Sequence, residues 1–131
     1  MRSSFKGFTL IELIIVVAIV GIISAFAYPS YMEHIRNGRR TEAKAALVDL
    51  SSFMERYYTE KMVYTGAALP YNLVPKDGGA SSAYYNLAIA DITNATFRIE
   101  ATPVGAQNGD KCGVLSIDNR GIKSATQDSC W

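Results

Sequence analysis

Between Glu12 and Glu33 this 131-residue chain carries no charged side chain. Residues 13–32 form 20 consecutive uncharged, mostly apolar positions, about the length a helix needs to cross a bilayer. Histidine is nearly absent, with His34 alone, and cysteine is confined to Cys112 and Cys130. Neither Cys-x-x-Cys nor His/Cys metal spacing can be built from that set, and no histidine stands with a plausible nucleophile. There is no phosphate loop, and no carboxylates are paired with a reason to be paired. We therefore expect no enzyme, no metal and no cofactor. Surplus charge is lacking too: 13 Lys and Arg against 12 Asp and Glu give +1, and loss of Arg2 and Lys6 would give −1. Neither value suggests nucleic-acid binding on electrostatics alone.

What is present divides the chain into three: a basic leader (residues 1–7), an apolar helix (8–35) and a soluble part (36–131). An ordinary secretory signal is cut after its apolar core, at a small residue. Here the small residue, Gly7, precedes the core, so cleavage there keeps the helix in the mature protein. Glu12 heads the apolar run and has two readings. Thr9-x-x-Glu12 fits a capping box, which also places a carboxylate at the favourable end of the helix dipole. Alternatively, a carboxylate held in hydrocarbon at a cost of at least ~2.5 kcal/mol calls for a cationic partner, and cleavage would free one, the Phe8 amine. Gly21 and Pro29 interrupt the run, and the proline predicts a kink near residues 25–29.

Arg36, Arg39, Arg40 and Lys44 outnumber Arg2 and Lys6, so charge counting alone puts the C-terminal side in the cytoplasm. The two cysteines argue the other way. Beside a membrane or export segment we read them as a disulfide in an oxidising compartment rather than as free thiols, worth roughly 3 kcal/mol. The basic cluster reads as a solvated or headgroup-facing surface, or as a contact for acidic neighbours, and His34 as a surface residue.

From Thr41 an amphipathic helix follows, with Ala43, Ala46, Leu47, Leu50, Met54, Tyr57 and Tyr58 on one face. It continues the first helix, giving a rod from Phe8 to about Tyr58 of roughly 75 Å. Residues 59–83 read as a loop, punctuated by Gly66, Pro70, Pro75 and Asp77-Gly78-Gly79. Asp77 alone is a weak calcium candidate. Four strands are expected over 84–89, 96–102, 113–118 and 121–125, in an antiparallel meander packed on the helix. Tyr85, Leu87 and Ile89 share one face, as do Phe97, Ile99 and Ala101; the third strand's facing is ambiguous. Asn94-Ala95-Thr96 matches a glycosylation pattern without further support. Arg98, Lys111, Arg120 and Lys123 are candidates for a DNA-binding stripe, but Glu100, Asp110, Asp118 and Asp128 lie among them.

The string Gly7-Phe8-Thr9-Leu10-Ile11-Glu12-Leu13 resembles the type III signal of type IV pilins and pseudopilins. The resemblance implies that a prepilin peptidase cuts Gly7–Phe8 and N-methylates Phe8, and that Glu12 meets the amine of a neighbouring subunit. It also implies that the region from Gly21 to Pro29 can lose helix on assembly, and that the 59–83 loop joins subunit contacts. Met54-Glu55-Arg56-Tyr57-Tyr58, Leu69-Pro70-Tyr71-Asn72, Pro75-Lys76-Asp77-Gly78-Gly79, Tyr84-Tyr85-Asn86-Leu87 and the Cys112–Cys130 loop further resemble minor pilins of the PilE class of type IVa pili. The implied fold is α+β: a long N-terminal helix, kinked near Pro29, on a four-stranded antiparallel sheet with a C-terminal disulfide loop. The implied role is a minor pilin supporting pilus assembly and priming, twitching motility and adhesion. Its partners would be other pilin and minor pilin subunits, the prepilin peptidase, an inner-membrane assembly platform and the membrane itself. Its location would be the bacterial inner membrane with the C-terminal domain in the periplasm, then the pilus outside. A major pilin, a type II secretion pseudopilin and a DNA-receptor pilin are the rival readings.

Overall fold

The computed structural model describes Met1 and residues 4–131; Arg2, counted above in the basic leader, lies outside the described residues. One helix, α1, spans Leu10–Lys61 and runs unbroken through Gly21 and Pro29. Two compact units share it, Met1–Ile35 and Arg36–Trp131.

In the first unit the helix is apolar on every side. Its most hydrophobic 18-residue window has a mean hydropathy of 2.8, and none of it is covered by the rest of the chain. A helix hydrophobic all round cannot sit stably in water and needs lipid or other helices around it. Ser24, a lone hydroxyl in mid-run, satisfies itself by donating to the Val20 carbonyl (2.7 Å).

The second unit, the head, has its own core. Arg40, Ala43, Leu47, Leu50 and Met54 recur at steps of three and four and form the buried stripe of α1. The sheet has five strands rather than the expected four. These are β1 (Leu73–Val74), β2 (Tyr85–Ile92), β3 (Phe97–Pro103), β4 (Leu115–Asp118) and β5 (Lys123–Ser124), antiparallel and in sequence order. β1 lies inside the stretch read as loop; a strand of two residues has no alternation for a sequence pattern to reveal. The helix also runs three residues past Tyr58, into that same stretch.

β2 and β3 behave as the alternation implied. Tyr85 and Leu87, and Phe97, Ile99 and Ala101, are buried, with Ile89 opposite Ile99. In β4 Leu115 and Ile117 join the core, but Ser116 is buried as well, which is why its facing was unreadable. Tyr64 wedges between Tyr58 and Phe97, with ring centroids 4.6 and 4.9 Å apart. Cys112 and Cys130 are disulfide-bonded and buried. Gly113 next to the staple has φ +58°, and a Cβ there would fall 2.3 Å from Thr126 Oγ1. Only glycine lets the two segments approach so closely.

Candidate functional site

The leader ends in irregular, exposed backbone, and helix begins only at Leu10. The Gly7–Phe8 bond therefore lies in accessible, non-helical chain. Thr9 is the helix N-cap. Its hydroxyl accepts from the Glu12 N–H (3.2 Å), and the Glu12 carboxylate accepts from the Thr9 N–H and hydroxyl (both 3.3 Å). This is the capping box read from the sequence, satisfying orphan donors of the first turn reciprocally. The same bonds place the carboxylate on the backbone nitrogen of the residue after Phe8, one peptide unit from the atom that cleavage would turn into an amine. Tyr28 and Tyr31 stand exposed toward the end of the apolar run, where amphipathic rings suit a lipid–water boundary.

In the head, the structure corrects the reading of the basic cluster as wholly surface. Arg40 is buried and bonds both oxygens of Asp110, Nε to Oδ2 at 2.7 Å and Nη2 to Oδ1 at 2.6 Å. Burial alone would raise the Asp110 carboxyl, but the Arg40 guanidinium and the Cys112 N–H outweigh it and hold it below the ordinary range. Beside it Gln107, fully buried, donates to the Arg36 carbonyl (3.2 Å) and to the Tyr85 hydroxyl (3.3 Å). His34 is exposed, as expected.

Three tyrosines from beyond the helix donate to carboxylates along it: Tyr84 to Glu42, Tyr71 to Asp49 (2.7 Å) and Tyr64 to Glu55 (3.0 Å). Burial first, and then the carboxylate partner, push each phenol up to about 12. These clasps join residues 9, 22 and 42 positions apart, outside the helix's own repeat, so periodicity gave no hint of them.

The residues weighed as a DNA stripe are mostly engaged. Arg98 bonds Asp91 (2.6 Å) and Glu100, and Arg120 bonds Asp118 (2.9 Å). Lys123 instead sits 5.3 Å from the centre of the Trp131 ring, with Lys44 at 6.0 Å. The indole N–H donates to the Ser124 carbonyl (2.8 Å). Asn94 of the glycosylation pattern accepts from the Thr65 hydroxyl (2.7 Å). Among the described residues no three His, Cys, Asp or Glu side chains are grouped to hold a metal.

Comparison with known proteins gives the class first. Residues 2–28 match the family model for the prokaryotic N-terminal methylation motif, so the chain is of the class whose apolar N-terminal helix carries that signal. Residues 29–116 match the model described as type IV minor pilin ComP, DNA uptake sequence receptor. The chain belongs to the type IV pilin family.

Its relatives agree. It is 35% identical over 116 residues to the type IV major fimbrial protein FimA of Dichelobacter nodosus, covering 88% of this chain and 68% of that one. It is 35% identical over 86 residues to the type IV major pilin protein PilA of Myxococcus xanthus, covering 66% of this chain but only 39% of the relative. Among solved structures, a type IV pilin from Shewanella oneidensis matches at a TM-score of 0.57 and 28% identity, over 73% of this chain and 97% of that one. The non-core minor pilin PilV of Neisseria meningitidis shares the fold at a TM-score of 0.54 and 24% identity, over 70% of this chain and 87% of that one.

Proposed function

We propose that this pilin is a minor subunit of a type IV pilus, cleaved at Gly7–Phe8 and N-methylated on Phe8 by a prepilin peptidase. It waits in the bacterial inner membrane with its head in the periplasm, then joins other pilin and minor pilin subunits through an inner-membrane assembly platform. There it serves priming and assembly, and through them twitching motility and adhesion; its role is structural, not catalytic. The observation that carries this reading is the bare apolar helix of the first unit, with one carboxylate at its head behind an accessible Gly–Phe bond. Such a helix exchanges lipid for other helices with little hydrophobic penalty, because both surroundings are equally apolar. Glu12 supplies the register: in the capping box it is satisfied by neutral donors, and a neighbouring subunit's Phe8 amine offers a charge-assisted bond about twice as strong. Pro29 and Gly21 supply the bend or local melting that packing in a filament demands.

The test is Glu12→Val, scored for processing and for entry into sheared filaments. Processing is expected to continue while incorporation falls on the order of tenfold, the loss of one charge-assisted bond. Normal incorporation would sink the amine-pairing idea. Abundance in the same filaments separates the minor from the major role. A deletion that loses protein secretion but keeps motility would mark a type II secretion pseudopilin instead.

A second reading, a DNA receptor, is favoured by the description of the family model that covers residues 29–116. The engaged Arg98 and Arg120 weigh against the stripe first considered, and the lysine-flanked Trp131 is the surface that could serve it. DNA binding by residues 36–131 that weakens steeply with salt would support this reading.

A further inference from the structure

Asparagine followed by glycine is the least durable step in a polypeptide, because the glycine carries no side chain to keep its nitrogen from the asparagine Cγ carbonyl. The chain holds two such steps, Asn37–Gly38 and Asn108–Gly109, and all four residues are exposed. Their backbones differ. Asn37–Gly38 lies inside α1, where the Gly38 N–H belongs to the helix ladder and donates to the carbonyl four residues back. Turning that nitrogen toward the Asn37 side chain would break the bond.

Asn108–Gly109 follows a short 3-10 turn, Gly105–Gln107. Asn108 is extended there (φ −56°, ψ 137°) and Gly109 left-handed (φ +79°), with open space where a Cβ would stand. The Asn108 N–H donates to the Gly105 carbonyl and the Asp110 N–H to the Gln107 carbonyl, each at 3.1 Å. Between those two bonds, the peptide unit joining Asn108 to Gly109 has no hydrogen bond among the described residues, on its N–H or on its C=O. It is pinned on either side and loose in the middle. Rotation of that unit brings the Gly109 nitrogen toward Cγ of Asn108 without loss of a backbone bond.

We propose that Asn108–Gly109 is a self-modification site, at which the folded head deamidates with age while Asn37–Gly38 is protected. The chemistry is independent of the role proposed above. The Gly109 nitrogen gives its proton to water or hydroxide and bonds to Asn108 Cγ; the Cγ–Nδ2 bond breaks and ammonia leaves, protonated at the solvent's expense. The resulting five-membered succinimide takes up one water. Cleavage of the ring bond to Cγ leaves an aspartyl residue on a normal backbone. Cleavage of the ring bond to the main-chain carbon leaves an isoaspartyl residue, whose main chain is one carbon longer. That extra carbon falls between two buried anchors. Gln107 holds the Arg36 carbonyl and the Tyr85 hydroxyl, and Asp110 is bonded twice by Arg40. The lengthened link displaces the Asp110 N–H from the Gln107 carbonyl and loosens this loop from the helix.

The full chain in lipid nanodiscs provides the test. It is held in mildly alkaline buffer, sampled at intervals, reduced and cut after glutamate, which releases residues 34–42 and 101–131 as separate peptides. Mass spectrometry follows the gain of one mass unit at each asparagine, and fragmentation tells the aspartyl from the isoaspartyl product. Asn108 is expected to convert, mainly to isoaspartate, on the order of tenfold faster than Asn37, the factor for one helix hydrogen bond that has to open first. In urea the two sites should convert at like rates, because the difference lies in the fold. Asn108→Gln should stop the conversion at that position, since the longer side chain has to close a six-membered ring. Hydrogen exchange at the Asp110 N–H should quicken in the aged protein and stay slow in freshly made Asn108→Asp, which carries the charge without the longer backbone. Equal quickening in both would overturn the lengthened link as its cause. Equal rates at the two asparagines in the folded chain would overturn the proposal, as would an Asn108 that survives in the fold while the chain in urea converts.

Discussion

Asp110 and the tyrosine clasps set how the head answers to pH, from opposite ends of the scale. A carboxyl held below its ordinary range in the fold stabilises fully above its unfolded pKa and loses that contribution as pH falls through the folded value. Asp110→Asn takes from buried Arg40 the carboxylate that accepts from it twice, and should lower the stability of the head by about 3 kcal/mol in urea denaturation at neutral pH. The same change should flatten the loss of stability in acid. The phenols run the other way. Raised to about 12, Tyr64, Tyr71 and Tyr84 stabilise fully below the unfolded value and lose that contribution as pH climbs through 10 toward 12. Tyr71→Phe should cost about 1 kcal/mol at neutral pH and weaken the alkaline transition, followed by tyrosine absorbance. Neither the ion pair nor the clasps could be read from the sequence. Arg40 and Asp110 are 70 positions apart, and local pattern carries no information about such pairings. Thr9 and Glu12 are three apart, and that contact was legible for the same reason.

Among the elements, legibility followed length and one-sidedness. The apolar run and the amphipathic continuation of α1 announce themselves over many turns, and β2 and β3 alternate cleanly because one face is covered. β1 and β5, two residues each, were missed or overdrawn; as the sheet's outer strands they offer little open edge to foreign chains. The end of α1 was missed by three residues for a different reason. Met62 takes φ +60°, the left-handed turn usually left to glycine, and its N–H caps the Tyr58 carbonyl at 2.7 Å. With no glycine there, no stop signal stands at the helix end. Met62→Gly should stabilise the head by about 0.5–1 kcal/mol, the relief of left-handed strain less the entropy of a glycine. Thermal unfolding of residues 36–131 would measure it, because the Met62 side chain is largely exposed and has little packing to lose.

For the molecule as a whole, the division into a bare helix and a self-contained head governs what can be studied in water. The buried apolar residues all lie between Ala43 and Cys130, whereas the exposed large ones concentrate before residue 32. Residues 36–131 should therefore fold alone, and the head's staple can be tested there. Replacing Cys112 and Cys130 by serine should lower its stability by roughly 3 kcal/mol, since the bridged residues are 18 apart. The sheet's order carries one more consequence. Every strand pairs with the one synthesised just before it, so its pairings are local and quick to form. A chain synthesised from its N-terminal end can add each strand to a finished neighbour without waiting for a distant one. Cys130 follows all five strands in the chain, so closing the bridge captures pairings that need no choice of topology from it.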